Sequence, residues 1–294
     1  MEPSARPRRS ALYLPASNPK ALVKARALPA DVVILDLEDA VAPEAKPEAR
    51  LAAVSALREG GFGAREVVVR CNGLDTPWGA DDLAAVAAAG PDAVLVPKIA
   101  SATDADTYHA ALADAPARTA LWVMIETCAV TSRLDAVAAR AASTRLAAFV
   151  LGTNDLAKEM RARLAPGRTP FQPILTAAVC AARSHGLIVL DGVCNEFRDL
   201  DRFNDEAAQG LEFGFDGKTL IHPDQIAPCN AVFSPSAEEL AWAETIVTAF
   251  DQSENFGKGA IQVQGKMVEL LHLEAARRVL AMAAMIAAAQ PQAR

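Results

Sequence analysis

Short apolar runs alternate with longer alanine-rich stretches along most of the chain. Eight runs of six or seven residues are rich in β-branched and aliphatic residues, and they span residues 10–15, 31–37, 66–71, 93–99, 120–126, 146–152, 187–193 and 218–223. A helical segment such as KPEARLAAVSALREG follows each of the first seven. Because strands that are apolar on both faces belong to covered sheets, this alternation predicts a parallel sheet. Eight such units predict a (β/α)8 TIM barrel, with an open doubly wound sheet as the alternative.

The pattern changes after about residue 233. Two helical segments, SAEELAWAETIVTAFDQSE and MVELLHLEAARRVLAMAAMIAAA, flank the glycine-rich segment NFGKGAIQVQG. The second segment is apolar nearly all round, so we expect it to pack against another surface such as a neighbouring subunit. The sequence therefore predicts a barrel domain over residues 1–233 and a C-terminal helical extension over residues 234–294.

Composition narrows the possible partners. The 294 residues include 29 Lys and Arg against 36 Asp and Glu, for a net charge of −7. An acidic protein without a long basic run is not expected to bind nucleic acid or an anionic membrane. The five cysteines are scattered and form no CxxC pair, which argues against disulfides and a zinc site and favours a reducing compartment. No apolar stretch is long enough for export or for a membrane span, so we predict a cytoplasmic protein.

Polar side chains stand where the predicted strands end. They are Glu38, Asp39, Arg70, Lys98, Glu126, Asp155, Asp191 and His222. In a TIM barrel the carboxyl ends of the strands share one mouth, where catalytic groups lie. Each residue alone could simply end a strand or cap a helix, but acids at four strand ends and bases at two more favour a functional site.

Acidic ligands without histidine or cysteine neighbours suit Mg²⁺ better than zinc. Glu126 and Asp155, on successive strands, are the predicted pair of metal ligands. Asp36 lies inside the apolar run VILDLEDAV, and we expect it only to bond a neighbouring strand or helix. Backbone N–H groups of Gly152, Thr153 and Asn154, which open the helix after the sixth strand, are predicted to hold a substrate carboxylate.

Several motifs occur in order along nearly the whole chain. They are VVILDLEDAVAPEAKPEAR, VVVRCNGLDTPWG, AVLVPKI, VMIET, LGTNDLAKE, LDGVCNEFRD, GFDGKTLIHPDQI and GKMVELLHLEAARRVL. Together they resemble the citrate lyase β-subunit-like enzymes of the HpcH/HpaI aldolase superfamily, which include malyl-CoA and citramalyl-CoA lyases and malyl-CoA thioesterases. The resemblance implies a (β/α)8 barrel, a Mg²⁺ cofactor, a CoA thioester substrate and a homo-oligomer, either a trimer or a hexamer.

The resemblance also implies roles for individual residues. Glu126 and Asp155 would bind Mg²⁺, which agrees with the choice made from the strand ends. Arg70 would hold the thioester oxygen, and Glu38 and Asp39 would orient metal-bound water and Arg70.

Three further roles follow from the same resemblance. Tyr13 and Lys24 would contact the nucleotide end of CoA. Glu269, in the segment MVE where lyases of the group have an aspartate, would reach the active site of an adjacent subunit.

The predicted function is therefore Mg²⁺-dependent carbon–carbon cleavage of a 3-hydroxyacyl-CoA such as malyl-CoA or citramalyl-CoA. The products would be acetyl-CoA and a 2-oxoacid, formed by retro-Claisen chemistry. Two alternatives stay open: a malyl-CoA thioesterase that uses the same site, and a citrate lyase β subunit that acts on a citryl thioester.

Overall fold

Eight parallel strands close into a barrel in the computed structural model, which describes residues 6–289. In chain order the strands are β1 (Ser10–Pro15), β2 (Val32–Asp36), β3 (Glu66–Arg70), β4 (Ala93–Val96), β5 (Ala120–Ile125), β6 (Leu146–Leu151), β7 (Ile188–Asp191) and β8 (Gly217–Leu220). Each strand pairs with the next, and β8 pairs with β1. The predicted TIM barrel is thus confirmed, and an open sheet is excluded.

Helices follow the strands around the barrel. They are α1 (Pro19–Ala25), α2 (Lys46–Glu59), α3 (Gly79–Ala89), α4 (Ala102–Ala111), α5 (Cys128–Thr131), α6 (Leu134–Ala138), α7 (Thr153–Met160), α8 (Gln172–Ser184), α9 (Leu200–Phe213) and α10 (Ile226–Val232). Local signals mark their ends: Asn18 caps α1 by accepting a hydrogen bond from the Ala21 N–H, and Gly60, at φ +64°, ends α2. These are the residue types that helix termini prefer.

The apolar runs are continuous because each strand has two buried faces. Inward side chains such as Ile34 and Val68 fill the barrel, whereas their neighbours Val33 and Val69 pack in the shell of helices. Both sets are fully buried. Inward and outward positions are therefore both apolar, so the sequence shows no alternation of apolar and polar residues, as expected for a sheet covered on both sides.

A buried charged cluster joins the last two strands to the helices outside them. Asp191 at the end of β7 accepts hydrogen bonds from Arg168 at 2.7 and 2.8 Å and from Lys218 of β8 at 3.0 Å. Lys218 also bonds Glu206 of α9 at 2.7 Å. The expectation that Asp191 faces the barrel mouth is wrong, because Leu190 holds the inward position and Asp191 points towards α9.

Replacing Lys218 by methionine is expected to lower the free energy of unfolding by roughly 3–5 kcal/mol, because it removes one of the two cations that neutralise buried Asp191 and the nearer cation of Glu206. Asp191 and Lys218 are both 0% exposed. Chemical denaturation measures the change. The exposed Lys20→Met is the matched control and should shift the unfolding free energy by less than about 0.5 kcal/mol. Equal effects of the two substitutions would contradict the role of the cluster.

The second compact unit comprises residues 6–7 and 234–289. It contains α11 (Ala237–Phe250), β9 (Ala260–Val263), β10 (Lys266–Glu269) and α12 (Leu270–Ala289). The antiparallel pair β9–β10 packs with both helices around an apolar cluster that includes Phe250 and Leu273. The segment MVE, expected to be helical, is therefore strand, and its helix begins one residue after Glu269. None of the helices within residues 6–289 has the length and apolar character needed to cross a bilayer.

Candidate active site

A connected set of charged residues crosses four strand ends at the mouth of the barrel. Asp36 and Arg70 are the last residues of β2 and β3. Glu38, Lys98 and Glu126 lie one or two residues beyond the ends of β2, β4 and β5. Asp36 and Arg70 are register partners in the β2–β3 pair, which places them side by side. The sequence-predicted residues Glu38, Arg70 and Glu126 are thus brought together.

Arg70 is held on two sides by carboxylates. Its Nε and Nη2 donate to the two oxygens of Asp36 at 2.6 and 2.7 Å, a bidentate arrangement. Its Nη1 lies 2.9 Å from Glu38 Oε2 and 3.7 Å from the more exposed Asp39. The guanidinium also stacks over the ring of Tyr13, with its carbon 4.8 Å from the ring centroid. Such contacts make Arg70 a pre-oriented cation at the mouth.

Asp36 bonds the neighbouring strand β3, as expected from the sequence, and its partner there is Arg70 of the predicted site. It is 0% exposed, and besides Arg70 it accepts hydrogen bonds from the backbone N–H groups of Glu38 and Ala40 at 3.0 and 3.1 Å. The side chain therefore holds both the guanidinium and the loop that contains Glu38. The signal was present in the sequence, since a carboxylate inside an apolar strand needs a strong partner.

Lys98 joins the Arg70 group to Glu126. Its Nζ forms an ion pair with Glu38 Oε1 at 2.5 Å, and its backbone N–H donates to Glu126 Oε1 at 2.8 Å. The backbone of Lys98 is left-handed, with φ +53°. This conformation costs a residue with a side chain roughly 1–2 kcal/mol, so the surrounding contacts must maintain it.

Glu126 has one bonded and one free carboxylate oxygen. Oε1 receives the Lys98 N–H, whereas the buried Oε2 has no hydrogen-bond partner among the described residues. Burial raises the pKa of Glu126 to about 7, against the opposing effect of Lys98, and the charge of Asp155 adds to the increase. The space beside Glu126 depends on Gly152, because a Cβ there would lie 2.5 Å from Oε2.

The residues after β6 supply the second carboxylate and an amide-rich helix start. Asp155 lies in the first turn of α7, and within residues 6–289 its side chain forms no hydrogen bond or ion pair. Among residues 6–289 no side chain caps this helix, whose first N–H groups, at Thr153, Asn154 and Asp155, have no acceptor in the helix itself. The Asn154 and Asn195 side chains bond each other at 2.8 and 3.2 Å.

The fit of a Mg²⁺ ion can be judged from these oxygens. Among the described residues no three Asp, Glu, His or Cys side chains form a cation cage. Mg²⁺ does not need one, because it commonly takes one or two protein carboxylates and fills its other positions with water and substrate. A buried carboxylate oxygen without a partner, with a second partner-free carboxylate near enough to raise its pKa, fits such a site.

Other sequence-predicted residues lie in different surroundings. The Tyr13 hydroxyl is buried beside Arg70 inside the mouth, and no described residue forms a hydrogen bond with it. Lys24 is exposed near the end of α1, and no hydrogen bond or ion pair in the described part of the chain joins it to the cluster. His222 stacks on Phe197 at 4.8 Å between ring centroids. Glu269 ends β10 in the second unit.

A supporting network behind β2 and β3 gave no signal in the sequence. The buried Lys46 Nζ donates to the carbonyl oxygens of Leu37 and Glu38 at 3.0 and 2.9 Å and to Asn72 Oδ1 at 2.7 Å. Asn72 in turn donates to Asp82 at 2.6 Å. These bonds satisfy the carbonyl groups of the turn that presents Glu38 to Arg70.

The fold and the cluster define a TIM-barrel protein with an acid-rich mouth. The chain belongs to the HpcH/HpaI aldolase/citrate lyase family, whose family model matches residues 9–223. The family resemblance found in the motifs is therefore confirmed.

Two relatives from Cereibacter sphaeroides match over almost the whole chain. A (3S)-malyl-CoA thioesterase is 47% identical, covering 98% of this chain and 99% of its own length. An L-malyl-CoA/beta-methylmalyl-CoA lyase is 35% identical, covering 97% and 98% respectively.

Two solved structures have the same fold. Mycobacterium tuberculosis CitE in complex with magnesium, acetoacetate and coenzyme A has a TM-score of 0.77 and 30% identity, and the match covers 96% of this chain and 99% of CitE. A citrate lyase from Burkholderia xenovorans has a TM-score of 0.82 at 22% identity, covering 96% of this chain and 93% of that one. The second likeness supports the fold alone.

Proposed function

We propose that this protein is a Mg²⁺-dependent thioesterase that hydrolyses malyl-CoA or a similar 3-hydroxyacyl-CoA. The relatives that match the whole chain are enzymes acting on CoA thioesters, and this chain is an enzyme of the same kind. The main support for hydrolysis is the identity of 47% to a thioesterase against 35% to a lyase. Carbon–carbon cleavage is the main expectation from the sequence and hydrolysis its alternative, and this difference in identity moves the preference to hydrolysis.

Glu126 and Asp155 would hold the Mg²⁺. When bound, the cation would supply Lewis-acid polarisation of a substrate oxygen. The buried, partner-free Glu126 Oε2 supports this assignment. Magnesium is also present in the solved CitE structure, which is a family neighbour.

Arg70 would bind the thioester oxygen. A guanidinium has five N–H donors, so Arg70 retains a donor beyond its contacts with Asp36, Glu38 and the Met124 sulfur. Negative charge develops on this oxygen when water adds to the acyl carbon. A rigid donor aimed at it stabilises the transition state more than the ground state.

The first turn of α7 would bind the free carboxylate of the substrate. The uncapped N–H groups at Thr153 and Asn154 point along the helix axis, and a helix N-terminus favours an anion. This contact would select malyl-type acyl groups over acetyl groups, because acetyl-CoA has no second carboxylate.

Glu269 would act as the base, supplied by an adjacent subunit of a homotrimer or homohexamer. Its carboxylate would accept a proton from water as the water oxygen bonds to the acyl carbon. The carbon–sulfur bond then breaks, and Glu269 returns the proton to the leaving sulfur, so the products are the free acid and the CoA thiol. A glutamate extends one methylene farther than the aspartate of the lyase motif, and this difference supports a changed task for the carboxylate.

The products formed from malyl-CoA test the proposal. We expect free CoA thiol and malate to appear in equal amounts, without glyoxylate or acetyl-CoA, and the rate to depend on Mg²⁺. Thiol titration, glyoxylate trapping and chromatography of the CoA species measure all four products. Stoichiometric glyoxylate and acetyl-CoA would instead establish the lyase, which the 35% identity keeps as the second candidate. A citrate lyase β subunit would require turnover of a citryl thioester, which the same assay can include.

A further inference from the structure

We propose that Lys98 is a positioning residue: its left-handed backbone directs an N–H to Glu126 Oε1 and so leaves Glu126 Oε2 free for the cation. The inference rests on the proposed metal site and adds a residue that contacts neither the substrate nor the cation. It assigns a purpose to a conformation that is otherwise unfavourable.

The first step of the argument is the backbone. Lys98 follows Pro97 directly after β4, and its φ of +53° lies in the region that residues with a Cβ seldom adopt. In this conformation its N–H donates to Glu126 Oε1 at 2.8 Å, between the ends of the neighbouring strands β4 and β5. Strained backbone that persists next to a functional group commonly serves that group.

The second step is the freedom of the carboxylate. Glu126 is buried, so without a donor on Oε1 the carboxylate could rotate and leave either oxygen unsatisfied. The Lys98 N–H bonds one oxygen, and the missing Cβ of Gly152 leaves room for the other. Outer hydrogen bonds of this kind orient metal-binding carboxylates, and their loss commonly weakens metal affinity 10- to 100-fold.

The third step is what holds the strained turn. The Lys98 ammonium pairs with Glu38 Oε1 at 2.5 Å, while the other oxygen of Glu38 lies 2.9 Å from Arg70. The side chain is 41% exposed, and the ion pair with Glu38 ties it to the rest of the charged cluster. Lys98 thus connects the orientation of Glu126 to that of Arg70.

Two uncharged variants separate the backbone from the ammonium. Lys98→Gly adopts positive φ freely and should bind Mg²⁺ within about threefold of the wild-type affinity, or more tightly because a nearby positive charge is removed. Lys98→Val also lacks the ammonium, but a β-branched residue strongly resists this φ. We expect it to bind Mg²⁺ about tenfold more weakly than Lys98→Gly. Lys98→Ala should fall between the two.

Isothermal titration of the purified full chain with Mg²⁺ alone measures these affinities without relying on turnover. Thermal unfolding of each variant shows whether the barrel is intact. Equal affinities of folded Lys98→Gly and Lys98→Val would overturn the role of Lys98 while leaving the proposed metal site in place. If wild-type Mg²⁺ binding is absent, or is unchanged in Glu126→Gln, the metal site itself is wrong and the inference fails with it.

Discussion

Replacing Arg70 by lysine is expected to lower kcat/KM for malyl-CoA hydrolysis about 100- to 1,000-fold, the range found for removal of one oxyanion-binding donor. Lysine keeps the charge but has no planar fork, so it cannot bond both oxygens of Asp36 and also face Glu38 and the substrate. The thioester oxygen would lose its oriented donor. Steady-state kinetics with a thiol-release assay measure the effect.

Arg183→Lys is the matched control for this substitution. Arg183 also forms a two-bond pair with an aspartate, at 2.9 and 2.8 Å from the oxygens of Asp216, but it is exposed on α8. We expect this variant to keep kcat/KM within about twofold of the wild-type value. An exposed ion pair contributes little to stability, so its loss should leave the fold and therefore the site unchanged. An Arg70→Lys enzyme that retains its Mg²⁺ affinity and hydrolyses malyl-CoA at the wild-type rate would refute the role of Arg70.

The order of strands and helices was predictable because it depends on local apolar runs and breakers. The direction in which each strand-end side chain points was not, because both faces of these strands are apolar. Asp36 and Asp191 illustrate this limit. Both are acids at the end of an apolar strand, yet Asp36 faces the mouth and Arg70, whereas Asp191 faces α9 and Lys218. Register and inward direction depend on closure of the barrel, which no single segment encodes.

Contacts made by backbone groups could not be predicted from the sequence either. Lys98 was recognisable as a base at a strand end, but its N–H bond to Glu126 depends on a left-handed φ that the letters VPKI do not indicate. Lys46 likewise lies in an ordinary helix start and acts on carbonyl groups of another segment. The charged residues of the mouth could therefore be predicted, but the bonds that orient them could not.

Replacing Glu126 by glutamine is expected to reduce Mg²⁺ affinity by at least about 100-fold and to abolish Mg²⁺-dependent hydrolysis. The amide oxygen can still accept the Lys98 N–H, so the shape of the site is retained while the ligand charge is lost. Because loss of an outer hydrogen bond alone costs 10- to 100-fold, loss of the anionic ligand should cost at least the upper value. Titration calorimetry measures the affinity, with the exposed Glu44→Gln as the matched control.

The same substitution should stabilise the metal-free protein at high pH. Burial raises the folded-state pKa of Glu126 from its usual 4.5 to about 7. Ionisation of this group therefore lowers the free energy of unfolding, and this loss is the penalty of burying the charge. The penalty is absent below about pH 4, grows as pH rises from there to about 7, and is complete above it. At about pH 8 and without Mg²⁺, the Glu126→Gln variant should gain at most about 3 kcal/mol of unfolding free energy, because an unpartnered amide group at the Oε2 position offsets part of the relief.

Proton competition supplies the complementary test in the wild-type protein. Mg²⁺ binds the ionised carboxylate, so its affinity should fall about tenfold between about pH 8 and about pH 6, as Glu126 takes up a proton near pH 7. Glu126→Gln should show no such dependence at its much weaker affinity. A wild-type affinity that is flat across this interval, or a Glu126→Gln protein less stable than wild type without Mg²⁺ at pH 8, would show that Glu126 is not the buried ionised ligand. A buried carboxylate that lowers stability when the metal is absent is the expected cost of a site organised for a cation.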